Sequence, residues 1–156
     1  MKTYIKSFIF LFFLLLVDQA TKFWARAELA HVSTIPIIKN FFHLTYVENK
    51  GAAFGMMQGR SGFFALASLL AIVLLLLYYK GQKQKNASHI RPLLYIILTI
   101  IAGAIGNLID RLTLGFVTDF IDFRGIWMYV FNVADIYVVC ATVLLCLYVL
   151  RYDKAN

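Results

Sequence analysis

Charged residues are scarce in this chain, and that scarcity excludes an ordinary soluble domain. Only 15% of the 156 residues are Asp, Glu, Lys or Arg, whereas 62% are hydrophobic. Soluble domains carry roughly 25% charged and about 45–50% apolar residues. The length fits one domain, and the apolar excess must face something other than water. We therefore expect a single membrane domain over residues 1–156.

Cysteine is rare, and several catalytic motifs are missing. The two cysteines, Cys140 and Cys146, lie in one apolar run and imply neither a disulfide nor a zinc framework. The sequence has no His-Glu-x-x-His, no Gly-x-Ser-x-Gly and no Gly-Lys-Ser phosphate loop, and none of its histidines (His31, His43, His89) falls in an apolar run. A metalloprotease, a nucleophile-elbow hydrolase and a nucleotide enzyme are poorly supported. We expect no metal and no cofactor.

The basic residues follow a membrane pattern rather than a nucleic-acid pattern. The net charge is +7, but Lys and Arg bracket apolar runs instead of forming a stripe, so we expect no nucleic-acid partner. The segment 80–91 carries four basic residues and no acid. By the positive-inside rule this segment and both termini are expected to be cytoplasmic. All acids except Asp153 then fall at or beyond the outer half of the membrane, where we expect the chemistry.

Apolar runs long enough to span a membrane occur three times, and a shorter one opens the chain. A spanning helix needs about 20 mostly apolar residues. The long uncharged runs are 61–79, 92–109 and 125–150, the last interrupted only by Asp135. We predict four spans, at about 4–25, 61–79, 92–112 and 127–150.

The first run, 7–17, has the length of the apolar region of a cleaved signal peptide. Residues 17–20 make a poor cleavage site, however, and amphipathic helix continues through Trp24, so we prefer a retained span. That span holds Asp18 and Lys22 one turn apart, where each ion offsets the desolvation of the other.

Between the first two spans the pattern changes to that of a strand. Phe42, Leu44 and Tyr46 alternate with their neighbours at a period of two, and the segment 49–51 is typical of a turn. We predict a small extracytoplasmic sheet over about residues 30–60.

Carboxylates at membrane depth are the candidates for chemistry. For Asp110 we prefer a structural role, because Arg111 is adjacent and Asn107 lies one turn earlier. Asp119 and Asp135 flank a hairpin over 120–134, whose ends can meet. Two adjoining carboxyl groups cannot both ionise easily, so one can keep a proton while the other activates a water against a peptide carbonyl.

Asparagines lie one turn before two of these carboxylates. Asn132 precedes Asp135 and Asn107 precedes Asp110 by three residues each, so either amide could bind the carboxylate or a substrate carbonyl. Either could instead form an interhelical hydrogen bond. The small residues at 102–106 favour a close helix–helix contact.

The residues alone leave other function classes open. A proton- or ion-coupled transporter would use Asp18, Lys22 and Asp135 as a relay. A non-enzymatic assembly or chaperone subunit would use the small-residue faces for partners and would tolerate loss of Asp119 and Asp135.

Taken together, five segments resemble the lipoprotein signal peptidases (signal peptidase II), which are bacterial membrane aspartyl endopeptidases. The matching segments are Asp18-Gln19-x-x-Lys22, Asn49-x-Gly51-x-Ala53-Phe54, Gly103-Ala104-Ile105-Gly106-Asn107-Leu108-Ile109-Asp110-Arg111, Val117-Thr118-Asp119-Phe120 and Phe131-Asn132-Val133-Ala134-Asp135. They stand in the family's order, which makes the combination specific.

The resemblance implies an all-α membrane protein of four transmembrane helices, with a small extracytoplasmic β-cradle between the first and second. It implies removal of the signal peptide from diacylglyceryl-modified prolipoproteins, by cleavage before the lipid-modified cysteine at the outer face of the bacterial cytoplasmic membrane. Asp119 and Asp135 are the implied catalytic pair. The residues implied to support the site or bind substrate are Asp18, Lys22, Asn49, Gly51, Asn107, Asp110, Arg111 and Asn132. The expected partners are membrane lipids, prolipoprotein substrates and the inhibitor globomycin, and we expect a monomer.

Overall fold

Four helices and three strands make up the described part of the chain. The computed structural model describes residues 2–51, 61–84 and 90–152. The helices are α1 (Lys2–Glu28), α2 (Ser61–Gln84), α3 (Ile90–Leu114) and α4 (Val133–Tyr152). The strands are β1 (Thr34–Ile38), β2 (Phe42–Asn49) and β3 (Val117–Phe123).

All four helices are long and apolar enough to cross a membrane. Their outward faces carry large exposed apolar side chains, such as Phe12 on α1, Leu70 on α2 and Leu147 on α4. Side chains of this kind are stable when lipid surrounds them. The predicted four spans are confirmed, although α4 begins at Val133 rather than near residue 127.

Helix α3 lies at the centre of the bundle and contacts each of the other helices. Leu93, Ile97 and Ile101 of α3 form a buried cluster with Tyr148 of α4. At Gly103 an added methyl group would collide with the carbonyl oxygen of Ala134. The small residues at 102–106 therefore permit the close helix–helix contact that the sequence predicts.

The sheet is antiparallel, with strand order β1-β2-β3. Leu44 in the middle strand lies opposite Ile35 of β1 and Ile121 of β3. Only β1 and β2 come from the predicted segment between the first two spans; β3 follows α3, and Gly115, with a φ of 81°, allows the turn between them. The described part of the sheet thus has two strands in the predicted segment of about 30–60 and a third strand, β3, from a separate region of the chain.

Strand β3 ties the sheet to the helices. Phe120 packs on Ala25 and Leu29 at the end of α1, and its ring lies 6.5 Å from that of Trp24. A bridge between Ile121 and Phe131 then returns the chain to the start of α4, which is the hairpin predicted over 120–134. Residues 52–60, including Ala53 and Phe54 of the quoted motif, and His89 lie outside the described residues.

Candidate active site

Asp119 and Asp135 open onto the same cavity. Asp119 lies in β3 and Asp135 in the first turn of α4, and both line a cavity of about 350 Å³. Phe64 of α2 and Arg111 of α3 lie on its other sides. The structure therefore brings the two predicted carboxylates to one site.

Asn132 and Asp135 form the N-terminal cap of α4. The Asp135 backbone N–H donates to Oδ1 of Asn132 at 3.0 Å, and the Asn132 backbone N–H donates to Oδ2 of Asp135 at 3.1 Å. This reciprocal pair is a capping box, in which an acidic residue three positions into the helix binds back to the capping residue. The Asn-x-x-Asp spacing thus fixes the Asp135 carboxylate at the helix end.

The two amide-bearing neighbours of Asp119 each donate to one of its oxygens. Nδ2 of Asn132 donates to Oδ1 of Asp119 at 2.6 Å, and Nδ2 of Asn49 donates to Oδ2 at 2.9 Å. Asn49 is itself held by the backbone N–H of Gly51, which donates to its Oδ1 at 3.0 Å. Asn132 therefore links both carboxylates, while Asn49 and Gly51 connect Asp119 to the end of β2.

Asn107 of α3 supplies the remaining side-chain donor. Its Nδ2 donates to Oδ1 of Asp135 at 2.8 Å. All four oxygens of Asp119 and Asp135 thus accept an N–H group, and three of these donors are side-chain amides. The sequence paired Asn107 with Asp110 by spacing, but the structure directs its amide to Asp135 instead.

Burial changes the acidity of Asp119. Its side chain is only 2% exposed. Loss of water and, to a smaller extent, the nearby charge of Asp135 raise the pKa of Asp119 to about 7, although the hydrogen bonds from Asn49 and Asn132 act in the opposite direction. Near neutral pH the two carboxyl groups can therefore hold a proton between them, as activation of a water by one carboxylate and a protonated partner requires.

Asp18 and Lys22 form a fully buried ion pair beside the carboxylates. Nζ of Lys22 lies 3.0 Å from Oδ2 of Asp18, and neither side chain is exposed. Oδ1 of Asp18 accepts the backbone N–H of Ala134 at 3.0 Å, and Gln19 donates to Oδ2. Since Ala134 precedes Asp135, this ion pair joins α1 to the start of α4.

Asp110 has a structural environment, with partners other than those predicted. Its Oδ2 accepts the backbone N–H of Thr118 at 2.9 Å, and Lys22 and Arg26 lie 3.7 and 3.8 Å from its oxygens. In the part of the chain that the structure describes, its side chain forms no hydrogen bond or ion pair with Arg111 or Asn107. Arg26 is not among the predicted site residues, although its position one turn after Lys22 places both cations on one face of α1.

Arg111 reaches the cavity instead of pairing with Asp110. Its guanidinium contacts the backbone oxygens of Asn107 and Gly51 at 3.4 Å each and lies 5.9 Å from the centre of the Phe64 ring. Its Nε is buried and has no hydrogen-bond partner within the described residues. Arg111 is thus placed to donate to a carbonyl group in the cavity.

No group of three or more His, Cys, Asp or Glu side chains that could hold a metal ion occurs in the described residues.

Comparison with known proteins identifies relatives over nearly the whole chain. A family model described as signal peptidase (SPase) II matches residues 10–151. The lipoprotein signal peptidase of Clostridioides difficile (strain 630) is 54% identical over 140 residues, which cover 90% of this chain and 91% of that protein. The lipoprotein signal peptidase of Fusobacterium nucleatum is 42% identical over 139 residues, which cover 88% and 82%.

Solved structures show the same architecture. A bacterial membrane enzyme solved by the in meso method superposes with a TM-score of 0.79 at 27% sequence identity, over 97% of this chain and 91% of that one. A second structure of a bacterial membrane enzyme gives the same TM-score at 28% identity and covers 94% of each chain. The arrangement of helices and sheet is thus shared with known bacterial membrane enzymes.

Proposed function

The chain belongs to the signal peptidase II family, aspartic endopeptidases that remove signal peptides from prolipoproteins, and from this premise we propose how its site works. The protein is a multi-pass bacterial membrane enzyme. We propose that its substrates carry a diacylglyceryl group on a cysteine and that it cleaves the peptide bond just before that cysteine. We further propose that Asp119 and Asp135 are its catalytic residues.

The ion pairing of the buried acids is the observation that carries this assignment. Asp18 and Asp110 each have a Lys or Arg nitrogen within 4.0 Å, and so does Asp122. Within the described residues Asp119 and Asp135 form no such ion pair and are bound by amide N–H groups. A cation would hold both carboxylates ionised, whereas neutral donors leave the pair able to share a proton.

The proposed reaction uses that shared proton. One carboxylate accepts a proton from water as the water oxygen bonds to the carbonyl carbon of the scissile peptide. The other, protonated, carboxyl group donates a hydrogen bond to the developing oxyanion. As the carbon–nitrogen bond breaks, a proton passes from the pair to the leaving amine, which releases an acid and an amine. Because the two groups titrate together, the roles belong to the pair.

An apolar groove continues from the cavity between α2, α3 and α4. Its volume is about 550 Å³, and Ala71, Ile100 and Val138 line both spaces. Leu74, Leu145 and Val149 extend the groove along the helices. We propose that it receives apolar parts of the substrate, so that membrane burial orients the peptide bond at the carboxylates.

The orientation, partners and assembly state complete the proposal. The basic segment 80–91 supports cytoplasmic termini and an active site at the outer face of the cytoplasmic membrane. The family resemblance supports inhibition by globomycin. We propose that the protein works as a monomer.

The test uses detergent-purified protein and two forms of one prolipoprotein, with and without the diacylglyceryl group. Product masses are measured in the presence and absence of globomycin. The proposal predicts cleavage before the cysteine only in the lipidated sample without globomycin. Equal cleavage of the unmodified protein would refute the lipid requirement, and cleavage at another bond would refute the proposed position.

A further inference from the structure

Lys22 is completely buried, and the side chain of Asn107 lies between it and Asp135. Besides its contact with Asp18, its Nζ donates to Oδ1 of Asn107 at 2.8 Å. The opposite end of the same amide, Nδ2, donates to Asp135. Lys22 therefore contacts Asp135 only through Asn107, and this path is separate from the ion pair that joins α1 to α4.

The chemistry of Lys22 decides which way the Asn107 amide points. A lysine ammonium group has three donors and no acceptor, so it can bind only the oxygen of the amide. With the oxygen held at Lys22, the NH₂ group must face Asp135. We propose that Lys22 is a positioning residue, which aims the N–H donor of Asn107 at the catalytic Asp135; this inference rests on the proposed roles of the two carboxylates.

The amide oxygens of the other two asparagines of the site are held in the same way, but by backbone N–H groups. Oδ1 of Asn132 accepts the N–H of Asp135, and Oδ1 of Asn49 accepts the N–H of Gly51. Each oxygen is thus held by a group that can only donate, and each NH₂ group is left for Asp119. Lys22 holds the oxygen of Asn107 in the way that backbone N–H groups hold the oxygens of Asn132 and Asn49, but with a charged donor.

A second contact to Asn107 does not replace Lys22. Nδ2 of Asn132 also approaches Oδ1 of Asn107, but at 3.2 Å, while the same Nδ2 lies 2.6 Å from Asp119. Its shorter bond is therefore to the carboxylate. Without Lys22, the oxygen of Asn107 keeps only this longer and shared contact, and its NH₂ group is less firmly directed.

The first experiment compares Lys22→Met with Lys22→Gln in the purified full chain. Both side chains are uncharged and of similar length, but only Gln can donate to the Asn107 oxygen. We expect Lys22→Met to lower kcat by about 10- to 100-fold, the size of loss found when the hydrogen-bond partners of metal ligands are replaced, with KM changed by less than about threefold. Lys22→Gln should retain clearly more kcat than Lys22→Met. Equal losses in the two variants would overturn the proposal.

The second experiment is a double-mutant cycle with Asn107→Leu. If Lys22 acts through Asn107, adding Lys22→Met to Asn107→Leu should lower kcat by less than about threefold further. Arg26→Met is the matched control, because Arg26 also lies on α1 but its guanidinium contacts Asp110 and Thr118 instead of Asn107. When Arg26→Met is combined with Asn107→Leu, the fold-losses in kcat of the two single variants should multiply.

If the fold-losses in kcat of Lys22→Met and Asn107→Leu multiply in the double variant, the inference is overturned. This holds even if the wild-type enzyme cleaves lipidated substrate and neither Asp119→Asn nor Asp135→Asn does. Loss of the proposed function would appear separately, as an inactive wild type or an active Asp→Asn variant. Thermal midpoints of all variants are measured in the same detergent. If Lys22→Met does not fold, Lys22→Gln is compared with Asn107→Leu: the inference predicts clearly higher kcat for Lys22→Gln, because Gln still donates to the Asn107 oxygen, and an equal loss of kcat in the two variants overturns it.

Discussion

Gly106 of α3 faces the carboxylate of the buried Asp18–Lys22 ion pair, and replacing it with alanine gives a defined perturbation. A methyl group at this position would collide with Oδ2 of Asp18, lie 3.0 Å from its Cγ and lie 3.6 Å from Cβ of Ala134. The Asp18 carboxylate cannot move away freely, because Lys22 and the backbone of Ala134 bind it from other sides.

The cost of Gly106→Ala follows from these contacts. Overpacking a well-packed core costs about 1–3 kcal/mol, and breaking a buried ion pair costs about 3–5 kcal/mol. The gain from replacing glycine in a helix is about 1 kcal/mol. Because the ion pair is displaced rather than removed, we expect a net loss of about 2–4 kcal/mol in the free energy of unfolding.

The assay is thermal unfolding in detergent, followed by circular dichroism at the helix band. At about 2–4 °C per kcal/mol for a chain of this size, Gly106→Ala should lower the midpoint by roughly 5–15 °C. Gly62→Ala is the matched control, because α2 has open space at Gly62. It should leave the midpoint unchanged or raise it by a few degrees. Equal midpoints for the two variants would refute the argument from close packing.

Two further predictions concern the carboxylate environment. Asn132→Ala removes both the helix cap and a donor to Asp119, so kcat should fall by about 10²–10³-fold and stability by about 1 kcal/mol, measured by lipoprotein cleavage and thermal unfolding; kcat within threefold of the wild type would contradict this. The second prediction concerns Asp119, whose pKa is about 7 in the folded protein and 3.8 for an ordinary aspartate. The folded protein then binds an extra proton between these values, so this group lowers stability as pH rises from about 4 to about 7. Asp119→Asn should therefore be more stable than the wild type at pH 8 and equally stable at pH 4, and an equal pH dependence of the two proteins would contradict it.

The helices could be predicted because lipid imposes a simple requirement on composition. Each span needs an apolar run of the right length, and the four helices lie where those runs are. The start of α4 was harder to predict, because residues 125–132 are uncharged and resemble the helix in hydropathy. The capping box of Asn132 and Asp135 marks the true start, and this local signal is present in the sequence.

The third strand could not be derived from local pattern alone. Val117, Phe120 and Ile121 do not alternate regularly with polar residues, because Phe120 packs on α1 while Ile121 pairs with Leu44. Burial of both faces removes the period of two on which strand prediction depends. The strand forms because β2 offers an edge next to the end of α3.

Within the site, the sequence predicted which residues come together but not several of the hydrogen bonds and ion pairs between them. The proximity of Asp119 and Asp135 could be predicted because it follows from chain connectivity, through the hairpin that joins them. The bond from Asn107 to Asp135 joins α3 to α4, and that from Lys22 to Asn107 joins α1 to α3. Such contacts depend on how the helices are rotated against each other, which the spacing within one helix does not specify.

The central claim is that Asp119 and Asp135 together activate the water that cleaves the substrate. Asp119→Asn and Asp135→Asn keep the shape of each side chain and remove its ability to exchange a proton. The direct measurement is the initial rate of signal-peptide release from a diacylglyceryl-modified prolipoprotein, at matched concentrations of folded protein. We predict that each variant is slower than the wild type by on the order of 10³-fold or more, as expected when one member of a catalytic unit is removed. Cleavage by either variant within tenfold of the wild-type rate would contradict the account.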